Sequence, residues 1–127
     1  MYNEEILDHN AHPYNKGIDF KATHEKQLHN ASCGDKLTVK LRVENNIIKD
    51  VGFDGVGCAI SQASADIMLD LLRGKTLDEA RALKEKFLQM IQTGETAPEL
   101  DEVNALVDIS KMPARVKCAE LAWQILD

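Results

Sequence analysis

Apolar and polar residues alternate most cleanly at Leu37, Val39, Leu41 and Val43, which stand between Thr38, Lys40, Arg42 and Glu44. A period of two with one apolar and one charged face predicts a half-buried strand. Asn45-Asn46 follows, a pair that tolerates the positive φ angles of a tight hairpin turn. Ile47, Val51 and Phe53 then supply the inner face of a second strand, with Lys49 breaking the alternation. Upstream, residues 23–30 are mostly polar and read as a short edge strand, and Ala31-Ser32-Cys33-Gly34-Asp35 reads as a turn.

From Ser61 the period becomes helical, with Ala65, Met68, Leu69 and Leu72 on one face and Gly74 as the stop. Thr76-Leu77-Asp78-Glu79 is a capping-box sequence, in which the threonine and glutamate satisfy each other's backbone N–H groups. It opens a helix through Ala80, Leu83, Phe87, Met90 and Ile91 that ends at Gly94. A short acidic-headed helix is expected over residues 98–107, and a last one over 114–126 with Ala119, Ala122, Trp123 and Leu126 facing the core. An early helix carrying Tyr2, Ile6 and Leu7 stops before Pro13. Strands precede helices without alternating with them, which defines an α+β class: a small antiparallel sheet of about three strands packed against several helices. With no repeat, low-complexity tract or linker, residues 1–127 form a single domain on this reading.

Composition narrows the function. A chain of 127 residues with 44% hydrophobic and 28% charged side chains is long enough to bury a core. Its net charge of −6 argues against nucleic acid or an anionic membrane as the partner. No apolar run approaches the roughly 20 residues of a membrane span. The start Met1-Tyr2-Asn3-Glu4-Glu5 lacks the basic and apolar segments of a signal peptide, so a cytoplasmic location is expected.

Three cysteines cannot all pair within one chain, and reducing compartments keep cysteines as thiols for metal binding or catalysis. Taken singly, each also fits a small buried hydrophobe. Their settings favour chemistry. In Cys33-Gly34-Asp35 the glycine lets a thiolate and a carboxylate converge on one ion, although an ordinary turn capped by Asp35 has the same sequence. Cys58 ends Gly55-Val56-Gly57-Cys58 before a helix, whose positive N-terminal end stabilises a thiolate. Cys118 follows Arg115 by three residues and Lys117 by one, positive charge that would lower its pKa or simply solvate a helix end. Three thiolates and one carboxylate satisfy a tetrahedral zinc ion.

His9, His12, His24 and His29 lie in loop or edge-strand sequence without paired helical spacing, and read as surface residues rather than ligands. No Gly-rich phosphate loop or Gly-x-Ser-x-Gly elbow is present. Ser61 and Ser64 read as helix-start residues rather than nucleophiles.

Three segments together, Asn30-Ala31-Ser32-Cys33-Gly34-Asp35, the run from Gly55 to Ser64, and the run from Pro113 to Trp123, closely resemble the U-type iron–sulfur cluster assembly proteins. The opening Ile6-Leu7-Asp8-His9 with Pro13-Tyr14-Asn15-Lys16-Gly17 is similar to that family too, so the resemblance spans nearly the whole chain. It is nearer the SufU branch than the IscU scaffolds. Lys117 precedes the third cysteine where IscU proteins carry histidine, and the 59 residues between Cys58 and Cys118 exceed the IscU spacing.

The resemblance implies an IscU-like fold and a zinc site of Cys33, Asp35, Cys58 and Cys118. It implies a SufS-type cysteine desulfurase as partner, with Cys33 accepting persulfide sulfur for downstream iron–sulfur assembly proteins and Arg115 orienting it. The alternative it leaves is a scaffold on which the same thiolates hold a transient iron–sulfur cluster.

Overall fold

The side chain of Asn3 accepts the backbone N–H of Ile6 at 3.0 Å and so starts helix α1, Glu4–Ala11, which stops two residues short of Pro13 as expected. The computed structural model describes residues 3–127; Met1 and Tyr2, the latter assigned to this helix by pattern, lie outside the described residues. Strands β1 (His24–Asn30), β2 (Asp35–Glu44) and β3 (Ile47–Val56) form an antiparallel sheet in the order β1-β2-β3. Helices α2 (Ala59–Leu72), α3 (Leu77–Thr93) and α4 (Pro113–Glu120) follow, with 3-10 turns over Pro98–Lys111 and Leu121–Leu126. The α+β class holds, with strands first and helices after.

Asn45 and Asn46 take φ of 54° and 65°, the paired left-handed residues of a two-residue hairpin. The break at Lys49 is a β-bulge. Arg42 pairs with Asp50 and Val43 with Ile48, so Lys49 is the unpaired extra residue. The bulge also corrects the inner-face assignment, because it turns Ile48 rather than Ile47 into the core, where Ile48 is fully buried. At the other end of the hairpin, Gly55 has φ +122° and a Cβ there would fall 2.1 Å from the Lys36 carbonyl, so β2 and β3 approach through a glycine.

Helix α2 is the centre of the molecule. The apolar pattern predicts one buried face, yet ten of its fourteen residues are buried, because α1, β3, α4 and both 3-10 segments pack around it. Helix α3 carries the expected capping box between Thr76 and Glu79 and ends at Gly94 in a left-handed cap. The acidic segment is two 3-10 stretches joined at a kink at Asp101 (φ 47°, ψ −123°) rather than one short helix. The last predicted helix ends early, at Glu120. Beyond it the chain tightens into 3-10 turns that bury all but Gln124 of Leu121–Leu126 between the sheet and α2 and α3. Trp123 stacks on Phe87 at 4.3 Å between ring centroids, and its indole N–H donates to Ser64 Oγ. The Ser64 hydroxyl donates in turn to the Ala119 carbonyl at 2.6 Å, so this serine ties α2 to α4.

His9 overturns the surface reading. It is 2% exposed, with Nδ1 at 2.6 Å from Asp66 Oδ2 and Nε2 against Glu102. Fully buried Asp66 also accepts the backbone N–H groups of Tyr14 and Asn15, so one α2 carboxylate staples the segment after α1 onto the core. That satisfies a buried charge with donors drawn from residues over fifty positions away, which local spacing does not show. His12, His24 and His29 are exposed.

Candidate metal centre

Five chain segments meet at one place. Asn30 closes β1, Cys33 rides the turn, Asp35 opens β2, Cys58 precedes α2, and Arg115 and Cys118 lie one turn apart on α4. The turn is tight because Gly34 sits at φ +71°, in the left-handed region glycine enters freely. Cys58 is the N-cap of α2, its sulfur accepting the Ser61 backbone N–H at 3.4 Å. Cys33 and Cys58 are half-buried, while Cys118 is fully buried, and all three are free thiols.

Asp35 anchors the group. Its Oδ1 accepts the Cys58 backbone N–H at 2.8 Å and the Ser61 hydroxyl at 3.0 Å, and its Oδ2 accepts from Asn30 Nδ2 at 3.3 Å. Burial by itself pushes this carboxyl up. Donors from Cys58, Cys118, Ser61 and Asn30 together outweigh that and hold it below the usual carboxylate range. Gly57 makes the arrangement fit, since a Cβ there would lie 2.4 Å from Ser61 Oγ and 2.8 Å from Asp35 Oδ1.

Cys118 Sγ lies 2.8 Å from Cys33 Sγ and accepts from Asn30 Nδ2 at 3.4 Å. The expectation that nearby positive charge lowers its pKa is overturned. Arg115 Nη1 points instead at Cys33 Sγ, 3.6 Å away, and Lys117 is exposed. Burial, followed by the neighbouring Cys33, Asp35 and Cys58, pushes the Cys118 thiol up. A buried thiol of this kind is a poor anion alone and a good ligand once a cation shares the site.

One ligand atom each from Cys33, Asp35 and Cys118 lies within 4.8 Å of the others. Tetrahedral zinc with Zn–S of about 2.3 Å separates two sulfurs by about 3.8 Å, so the Cys33 and Cys118 sulfurs, 2.8 Å apart here, would move apart by about 1 Å to share the ion. Cys58 stands beside the set rather than inside it. Thus the structure brings together Cys33, Asp35 and Cys118 with Arg115, and leaves Cys58 as the adjoining thiol. Asn30, Gly57 and Ser61 belong to the same unit and were not singled out. Ser61 does stand at a helix start, but its hydroxyl reaches across to Asp35.

A three-stranded antiparallel sheet followed by helices, with thiols and a carboxylate gathered from a turn, a helix N-cap and the last α-helix, is the arrangement of the U-type assembly fold. The chain belongs to the NifU-like N-terminal domain family, whose model matches residues 1–126, as the cysteine motifs imply. It is 35% identical to the zinc-dependent sulfurtransferase SufU of Bacillus subtilis, over all of this chain and 87% of that one. It is 43% identical to the iron–sulfur cluster assembly scaffold protein IscU of Thermotoga maritima, over 99% of this chain and 89% of that one. The crystal structure of the SUF-system protein FiSufU of Fervidobacterium islandicum AW-1 superposes with a TM-score of 0.89 at 34% identity, covering 98% of this chain and 93% of that one. Among the described residues, no helix is long and apolar enough to cross a membrane.

Proposed function

We propose that the chain acts as a single domain in iron–sulfur cluster assembly, a zinc-dependent sulfur acceptor that takes persulfide sulfur from a SufS-type cysteine desulfurase through Cys33. The observation that carries this reading is the asymmetry of the three-ligand group. Asp35 and Cys118 are buried and tied by internal donors, whereas Cys33 is half-exposed on a turn with the Arg115 guanidinium beside its sulfur. The relative named a zinc-dependent sulfurtransferase supports the same assignment.

Cys33, Asp35, Cys58 and Cys118 would hold zinc, and the donor chemistry suits it: sulfur and carboxylate ligands with no redox requirement, three of them already grouped and Cys58 adjoining. Bound there, zinc supplies positive charge that keeps the thiols deprotonated near neutral pH. The remaining chemistry belongs to the chain. The Cys33 thiolate attacks the outer sulfur of the desulfurase persulfide, forming a new S–S bond on Cys33. The desulfurase S–S bond breaks, and its cysteine leaves as a thiolate. Arg115 stands where it orients the incoming anionic sulfur. Downstream assembly proteins then receive the sulfur in the cytoplasm.

The same thiols are also the donor set of an iron–sulfur cluster, and the relative named as a scaffold favours that second reading. Elemental analysis of untagged protein, purified without oxygen or chelator, separates the two. About one zinc per chain without acid-labile sulfide supports sulfur transfer. Iron and sulfide in place of zinc support the scaffold.

A further inference from the structure

Asn30 is the last residue of β1 and pairs with Asp35 across the turn that carries Cys33. It is buried, and its side-chain amide nitrogen faces the candidate metal centre. Nδ2 donates to Asp35 Oδ2 at 3.3 Å and to Cys118 Sγ at 3.4 Å. A primary amide nitrogen has two protons, so both are spent on candidate ligands.

Those ligands come from opposite ends of the fold, Asp35 from the start of β2 and Cys118 from α4, and as anions they would repel each other. A donor shared between them offsets that repulsion, and hydrogen bonds to charged acceptors are roughly twice as strong as neutral ones. An amide does this without charge, so unlike lysine or arginine it does not compete with a cation for the same two anions. The Cys33 backbone N–H donates to the Asn30 backbone carbonyl at 3.3 Å, a bond no side-chain substitution removes, whereas the Asn30 amide bonds are to Asp35 and Cys118 and the Cys33 sulfur is the one contacted by Arg115.

We infer that Asn30 is a positioning residue of the metal centre: its amide ties the Asp35 carboxylate to the Cys118 sulfur and pre-sets that pair. The inference rests on the zinc reading above and adds a division of labour to it. Asn30 governs how tightly the ion is retained, while the reactivity of Cys33 is set elsewhere.

Asn30→Leu keeps the approximate size of the side chain and removes both donors. In competition against a chromophoric chelator, this variant should bind zinc about tenfold to a hundredfold more weakly than wild type. Alkylation of Cys33 in zinc-free protein should stay within twofold of wild type. Zinc affinity of Asn30→Leu within twofold of wild type overturns the proposal, since a residue that only fills space is replaced by leucine without loss of the ion. If wild type itself takes up no zinc, the zinc reading fails, and the side-chain amide resonance of Asn30 decides this one. Slow solvent exchange, with a shift on Asp35→Ala and on Cys118→Ser, supports the bridge. Exchange at the rate of a free amide, unmoved by either substitution, overturns it.

Discussion

Gly57→Ala is the smallest perturbation that reaches the centre of the site. The added Cβ would stand 2.4 Å from Ser61 Oγ and 2.8 Å from Asp35 Oδ1, both well inside van der Waals contact. Neither atom is the loose end of a flexible side chain. Asp35 is 2% exposed, and the Ser61 hydroxyl donates to it while the Cys58 backbone N–H holds the same oxygen at 2.8 Å. Overpacking of this kind costs about 1–3 kcal/mol. Weakening one hydrogen bond to a charged group adds about 1.5–3 kcal/mol. The sum, about 2.5–6 kcal/mol, corresponds to a fall in Tm on the order of 10 °C or more for a chain of this size. Zinc affinity should fall about tenfold to a hundredfold, because the displaced groups orient a ligand. Gly74→Ala is the control: φ is +87° and the space around it is open, so it costs about 1–2 kcal/mol of backbone strain and leaves zinc binding alone. Calorimetry with chelator competition on both variants reads the difference. Gly57→Ala with wild-type Tm and zinc affinity would refute the packing argument.

His9 gives a pH signature. Burial lowers its pKa, but the bonds to Asp66 and Glu102 and the charges of both outweigh burial, so the imidazole titrates above its ordinary value. Its contribution to stability is full below about pH 6.5 and is lost as pH rises through the folded value. Tm measured across pH should show that decline in wild type and lose it in His9→Gln; parallel curves would contradict the assignment. Ser64→Ala strands the Trp123 indole N–H and frees the Ala119 carbonyl, costing about 1–3 kcal/mol by urea unfolding at unchanged slope. A loss below about 0.5 kcal/mol would mean the bond carries no weight. Asn46→Val places a β-branched residue at φ 65° in the hairpin turn and should cost about 1–2 kcal/mol, with Asn46→Gly near neutral. Equal stability of the two would count against the turn assignment.

Local rules were legible where the cause is local. Asn45-Asn46 announced its turn and Thr76 and Glu79 their capping box, whereas Lys49 showed only as a break in the alternation, and the register is what makes it a bulge that hands the core position to Ile48. The same holds for the candidate ligands: Cys33, Asp35 and Cys118 stood out by their neighbours in sequence, and the fold brings them together. What the chain concealed depends on partners far away. Asn30 is an unremarkable polar residue until α4 delivers Cys118 to it. Likewise His9 has no ligand-like spacing, and its environment comes from Asp66 and Glu102 on other elements. Helical spacing set Arg115 beside Cys118 and the family resemblance gave it the sulfur on Cys33; the tertiary packing aims it at Cys33.

Locating the transferred sulfur tests the central claim most directly. Zinc-loaded protein is incubated with a pyridoxal-phosphate cysteine desulfurase and cysteine, then alkylated and mapped by peptide mass spectrometry. The account predicts one added sulfur on Cys33, abolished by Cys33→Ala while desulfurase binding persists. Sulfur on Cys58 or Cys118 instead, or undiminished sulfur transfer by Cys33→Ala, would contradict it.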